Sequence, residues 1–138
     1  MERLFVDTSA WIAHANRNDA EHAGVRDALR SFGGRLVTSN FVFDEVVTVA
    51  RARLDHRTAV LLGELLRDPD VVDLLRLTAA DEESAWRLFA DRTDRADRAD
   101  HSYSFTDCAS FALMRRLRID TALALDDDFA REGFLVLP

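Results

Sequence analysis

Apolar residues fall along this chain in two patterns: short continuous runs, and longer stretches spaced for one face of a helix. Residues 3–6 form a short β-like run ending at Asp7-Thr8-Ser9, a polar triplet suited to cap a helix that starts at Ala10-Trp11-Ile12. The spacing predicts an amphipathic helix over 20–32, closed by Gly33-Gly34. A second strand is expected over 35–37, followed by the cap cluster Thr38-Ser39-Asn40 and a helix over 41–54. A further helix over 57–67 stops before Pro69. Residues 71–77 are a weaker strand candidate, and 78–92 a helix with Thr78 at its cap and acids in its first turn.

The segment 91–100 repeats an Asp-Arg-x triplet, which suits either a solvated helical extension or a charged loop. Ser104 opens the next helix, which ends near Arg118. Strands are expected over 121–125 and 134–137, with Asp126-Asp127-Asp128 between them. Strands thus alternate with helices throughout, the pattern of an α/β sandwich on a parallel sheet. The 138 residues fit a single domain, 1–138, with no internal boundary.

Composition narrows the function. No apolar run is long enough for a membrane span, and the N-terminal run is too short for a signal peptide. The single cysteine, Cys108, allows no internal disulfide and suits a small core residue. The expected location is the cytoplasm. Every strongly basic residue is arginine, and lysine is absent. That excludes a Walker-type phosphate loop and lysine Schiff-base catalysis. The net charge of −7 argues against a protein that coats nucleic acid, while a cluster of acids neutralised by bound cations would account for part of it.

Four acids carry the candidate chemistry. Asp7 and Asp126 each follow a predicted strand, at the sheet edge where α/β sites form; each alone could equally be a cap or turn aspartate. Glu45 projects between Phe41 and Val49, on the side of its helix that also carries Val42 and Val46, while Asp44, Thr48 and Arg51 make the polar face. An inward acid needs a partner, either a metal or an arginine such as Arg53. Asp107 projects between Phe111 and Met114, but Ser104 and Asp107 also have capping-box spacing. Brought together, the four would repel one another without cations. Hard oxygen donors with no histidine nearby suit Mg²⁺ or Mn²⁺ rather than zinc. Such a site activates water for phosphodiester hydrolysis, and the hydroxyls of Thr8, Ser9 and Thr106 could orient water or phosphate. Asp127 and Asp128 read as solvated turn residues, with Asp128 a possible helper.

These residues resemble the PIN-domain nucleases, and closely the VapC-type toxins of bacterial toxin–antitoxin modules. The resemblance lies in Leu-Phe-Val-Asp-Thr-Ser-Ala-Trp (4–11), Thr-Ser-Asn-Phe-Val-Phe-Asp-Glu-Val-Val (38–47), Tyr-Ser-Phe-Thr-Asp-Cys-Ala-Ser-Phe (103–111) and Leu-Asp-Asp-Asp-Phe-Ala-Arg-Glu-Gly-Phe (125–134). It implies a five-stranded parallel sheet in a three-layer α/β/α sandwich. It also implies that Asp7 and Asp107 are the main metal ligands, that Glu45 and Asp126 complete the site, and that Thr106 is the hydroxyl residue before the third acid. A homodimeric endoribonuclease held in check by a cognate antitoxin would follow. Ala124 departs from the pattern, since many members carry threonine or serine there.

Positive charge for an RNA backbone could come from Arg51, Arg53 and Arg57, or from Arg115, Arg116 and Arg118; both groups equally suit helix C-termini. Trp11, one turn after Asp7, could sit at the pocket mouth or in the core. An RNA-processing nuclease with no toxic role, and a non-catalytic binding module with a vestigial site, are the alternatives.

Overall fold

The structure is a computed structural model that describes residues 1–93 and 103–138. Its five strands are β1 (Arg3–Val6), β2 (Arg35–Ser39), β3 (Val72–Leu75), β4 (Thr121–Leu123) and β5 (Leu135–Leu137). They form one parallel sheet in the order β3-β2-β1-β4-β5. The helices are α1 (Thr8–Ala15), α2 (His22–Ser31), α3 (Asn40–Arg53), α4 (His56–Leu66), α5 (Ala79–Thr93), α6 (Phe105–Leu117) and the single turn α7 (Asp128–Arg131). They cover both faces, giving the expected three-layer α/β/α sandwich.

β1 takes the centre because Leu4, Phe5 and Val6 are apolar on both faces of the pleat, and all three are fully buried. Phe5 lies opposite Val37 on one side and Ala122 on the other. Burying such a side chain contributes about 1.5–3 kcal/mol. The edges are less apolar: Asp73 interrupts β3, and Leu135 in β5 is exposed. Gly34 is required where β2 begins, because a Cβ there would stand 2.1 Å from the Glu2 carbonyl oxygen.

Several expected boundaries shift for identifiable reasons. The 20–32 helix starts at His22, since Asp19 first closes a turn, its Oδ1 accepting from the Glu21 amide. The 71–77 strand shortens to β3, and the Leu77 amide donates to Asn40 Oδ1 instead. The 121–125 strand stops at Leu123, because the Leu125 amide donates to the Ser9 hydroxyl. Asp127 and Asp128 do not form a plain turn: they introduce α7, and both pair with Arg131. Of the repeated Asp-Arg triplets, 91–93 belong to α5 and the rest lie outside the described residues.

Trp11 is a core residue, fully enclosed, with its indole N–H donating to the Val6 carbonyl at 3.1 Å. Cys108 is likewise buried in the core. Among the described residues no helix is long and apolar enough to cross a membrane.

The strand order reverses direction at β1. From β1 the chain steps to β2 and β3 on one side, and later to β4 and β5 on the other. A crevice therefore opens at the carboxyl ends of β1 and β4, the usual place for a site in an open α/β sheet.

Candidate active site

That crevice is a cleft of about 430 Å³, and Asp7, Glu45, Asp107 and Asp126 all line it. Each comes from a different element. Asp7 follows β1 and is the N-cap of α1. Glu45 sits in the middle of α3, which Ser39 starts by accepting from the Val42 amide. Asp107 is in the first turn of α6, and Asp126 lies just past β4.

The capping box expected at Ser104 and Asp107 is present as well. The Ser104 amide donates to Asp107 Oδ2 at 3.1 Å, and the Asp107 amide donates to Ser104 Oγ at 3.0 Å. Cap and cleft position coexist, because the cap uses one carboxylate oxygen and fixes the direction of the other.

Asp7 is the most constrained of the four. It is 3% exposed. Its Oδ2 accepts from the Ser9 amide at 3.2 Å and the Ser9 hydroxyl at 2.7 Å. Its Oδ1 is buried with no partner, as is the Thr8 hydroxyl oxygen beside it. Burial pushes the Asp7 carboxyl up to about 7, with the nearby Asp107 and Asp126 charges adding to the rise and Ser9 opposing it. Burial likewise lifts Asp107 to about 6, with help from Asp126 and Asp128, against the Ser104 amide.

Among the described residues, none of the four acids forms an ion pair. The arginine alternative for Glu45 is therefore not realised, although Arg53 does line the same cleft. Orphaned buried acceptors cost free energy unless something occupies the site. The donor set is all oxygen, which matches a hard divalent cation. As placed, however, no three of the described acids, histidines or cysteines close tightly enough to enclose an ion. The carboxylates ring a cleft rather than a point.

Thr8 and Ser9 line the cleft as expected. Thr106 is not among its lining residues; its carbonyl accepts from the Ser110 hydroxyl one turn on. Other lining residues were not anticipated, Asp19 and Ile12 among them. Asp19, in the turn after α1, adds a fifth carboxylate, and Ile12 supplies an apolar wall where Trp11 was considered. Asp19 stands in a connector, so no periodicity could have singled it out.

Of the arginine groups, Arg115 and Arg116 are engaged elsewhere. Arg115 pairs with the buried Glu132, and Arg116 with Asp81 through two hydrogen bonds of 2.7 and 2.9 Å.

The PIN domain family model matches residues 4–135. The 23S rRNA-specific endonuclease VapC20 of Mycobacterium tuberculosis is 38% identical over 132 residues, covering 96% of this chain and 95% of the relative. The crystal structure of M. tuberculosis VapC20, described as a sarcin-ricin loop cleaving toxin, superposes with a TM-score of 0.86 at 38% identity. That match covers 98% of this chain and 99% of the VapC20 chain. A DNA-bound VapBC from Salmonella typhimurium shares the fold, with a TM-score of 0.70 at 12% identity over 99% of this chain and 97% of its own.

Proposed function

We infer function from one premise: this chain belongs to the PIN-domain family. We propose that it is the endoribonuclease toxin of a toxin–antitoxin pair, acting in the cytoplasm on ribosomal RNA. The observation that carries this reading is the shared cleft, where four acids from four elements meet with no ion pair among the described residues and Asp7 keeps an orphaned oxygen.

In this reading Asp7 and Asp107 hold the cation, and Glu45 and Asp126 complete its surroundings. Mg²⁺ or Mn²⁺, when bound, supplies positive charge against the charge that develops on the scissile phosphate and makes a water easier to deprotonate. The chain's own residues do the rest. Ser9 holds Asp7 in one orientation through Oδ2, and the unpartnered Oδ1 would meet the cation. Ser104 does the same for Asp107. The Thr8 hydroxyl, buried and unpartnered, is available to a phosphate oxygen or to water. Arg53 opposes the phosphate charge inside an otherwise acidic cleft.

A cognate antitoxin and a second copy of the chain are the expected protein partners. The exposed apolar side chains Val60 and Trp86 suit such contacts.

The test is to incubate the purified, antitoxin-free protein with ribosomal RNA and map the new ends. Cleavage is expected with Mg²⁺ or Mn²⁺, absent in EDTA, and absent in Asp7→Asn. Equal cleavage in EDTA would sink the metal mechanism.

A further inference from the structure

Outside the acidic cleft, basic side chains gather in a cavity of about 730 Å³ where α1 and α2 meet α4. His14, Arg17, His22, Arg26 and Arg30 line it, and among the described residues no acid does. In a protein of net charge −7 that concentration of positive charge stands apart. Leu61, Leu62 and Leu65 form an apolar wall, and Leu61 is 55% exposed.

The two imidazoles stack with ring centroids 6.2 Å apart. His22 is fixed by its Nδ1 contact to the Ala13 carbonyl at 2.9 Å. His14 has a buried Nδ1 with no partner. Burial, with the adjacent His22 and Arg30 charges, depresses the His14 pKa, which favours a neutral ring that binds by hydrogen bonding. Among the described residues, Arg17 and Arg30 form no ion pair, and both are exposed at the rim. Arg26 is shared with its neighbour Asp27.

This cavity adjoins the cleft through α1 and the turn that follows it. Ile12 and Asp19 face the cleft, while His14, Arg17 and His22 face the cavity. A strand passing the acids can continue around this corner.

We propose that the cavity is an accessory nucleotide-binding subsite for the RNA substrate, with guanidinium groups on a backbone phosphate and a base against the leucine wall. Its size lies in the range of small-ligand pockets that combine apolar walls with a few convergent polar groups. Bases tolerate such walls in any sequence, whereas the phosphate contacts set affinity and its salt dependence. This subsite rests on the ribonuclease reading.

The test compares the chain with the double variant Arg17→Ala, Arg30→Ala, using a labelled hairpin RNA that the wild type cleaves. Both rim arginines are exposed, so the variant should fold, and circular dichroism checks this. Binding is measured in the Asp7→Asn background so that RNA stays intact. The double variant should bind about tenfold more weakly, with a salt slope lower by roughly 1.4, the value for two lost single-strand phosphate contacts. In the otherwise wild-type chain, KM should rise and kcat hold. Unchanged affinity and slope, with wild-type cleavage intact, overturn the subsite and leave the ribonuclease reading standing. Unchanged RNA affinity with lost antitoxin binding assigns the cavity to a protein partner and also overturns it. If the wild type cleaves no RNA at all, the ribonuclease reading fails and the subsite falls with it.

Discussion

The Ser9 hydroxyl donates to Asp7 Oδ2 at 2.7 Å and accepts the Leu125 amide at 3.1 Å. One side chain thus ties the acid after β1 to the segment that delivers Asp126. Ser9→Ala would break both bonds and leave the Leu125 amide without its acceptor. A loss of about 1–2 kcal/mol in stability is expected, since each bond is worth about 1 kcal/mol. Cleavage should fall about tenfold or more as Asp7 loses its fixed direction. Thermal melting and single-turnover cleavage check the two effects; an unaltered rate would remove Ser9 from the site.

Asp7→Asn should abolish cleavage yet stabilise the metal-free protein near pH 8. The folded carboxyl sits at about 7, against 3.8 for the ordinary group. Below about pH 4 the carboxyl is protonated in both folded and unfolded states, and the wild type keeps its full stability. As pH rises to about 7 the unfolded chain ionises first, and stability is lost by up to about 4 kcal/mol. Melting curves from pH 4 to 8 should fall for the wild type and stay flatter for the variant. Parallel curves would contradict the burial argument.

Divalent cations should raise the melting temperature of the wild type, and more so at pH 8 than at pH 5.5. Ligands must be ionised to bind, and both Asp7 and Asp107 hold their protons unusually tightly. Calorimetric titration with Mg²⁺ and Mn²⁺ should show protons released on binding. Equal stabilisation at the two pH values would mean that the ions bind elsewhere.

Arg116→Ala should lower stability without changing RNA affinity. Asp81 is 3% exposed and is held by Arg116 and by its capping exchange with Thr78. Removing the guanidinium leaves a buried charge half-satisfied. The Arg116 bond also keeps the Asp81 carboxyl below its usual range, so the wild type has this stability above about pH 4 and loses it as acid titrates the group. Urea unfolding and RNA binding, run side by side, separate support from substrate contact.

Much of this arrangement was legible in the residues. Asp7 and Asp126 stand where apolar runs end, and Glu45 faces the side of its helix that carries Val42 and Val46. Periodicity fixes those directions. It could not find Asp19, which reaches the cleft only because the turn after α1 folds back. Nor could it tell that Arg115 and Arg116 are spoken for, because their partners Glu132 and Asp81 lie far away in sequence. The end of β4 was misplaced for the same reason: the Leu125 amide goes to a side chain more than a hundred residues earlier. Local pattern assigns the facing of a residue, while tertiary bonds assign its company.

Because β1 lies at the middle of the sheet and β4 is added beside it from the far end of the chain, half of the acidic ring arrives late in synthesis. A ribosome that has made only the first hundred residues holds a polypeptide carrying Asp7 and Glu45 but neither Asp107 nor Asp126. Such a nascent fragment lacks half of the acidic ring, and the cleft is complete only when the last strands dock.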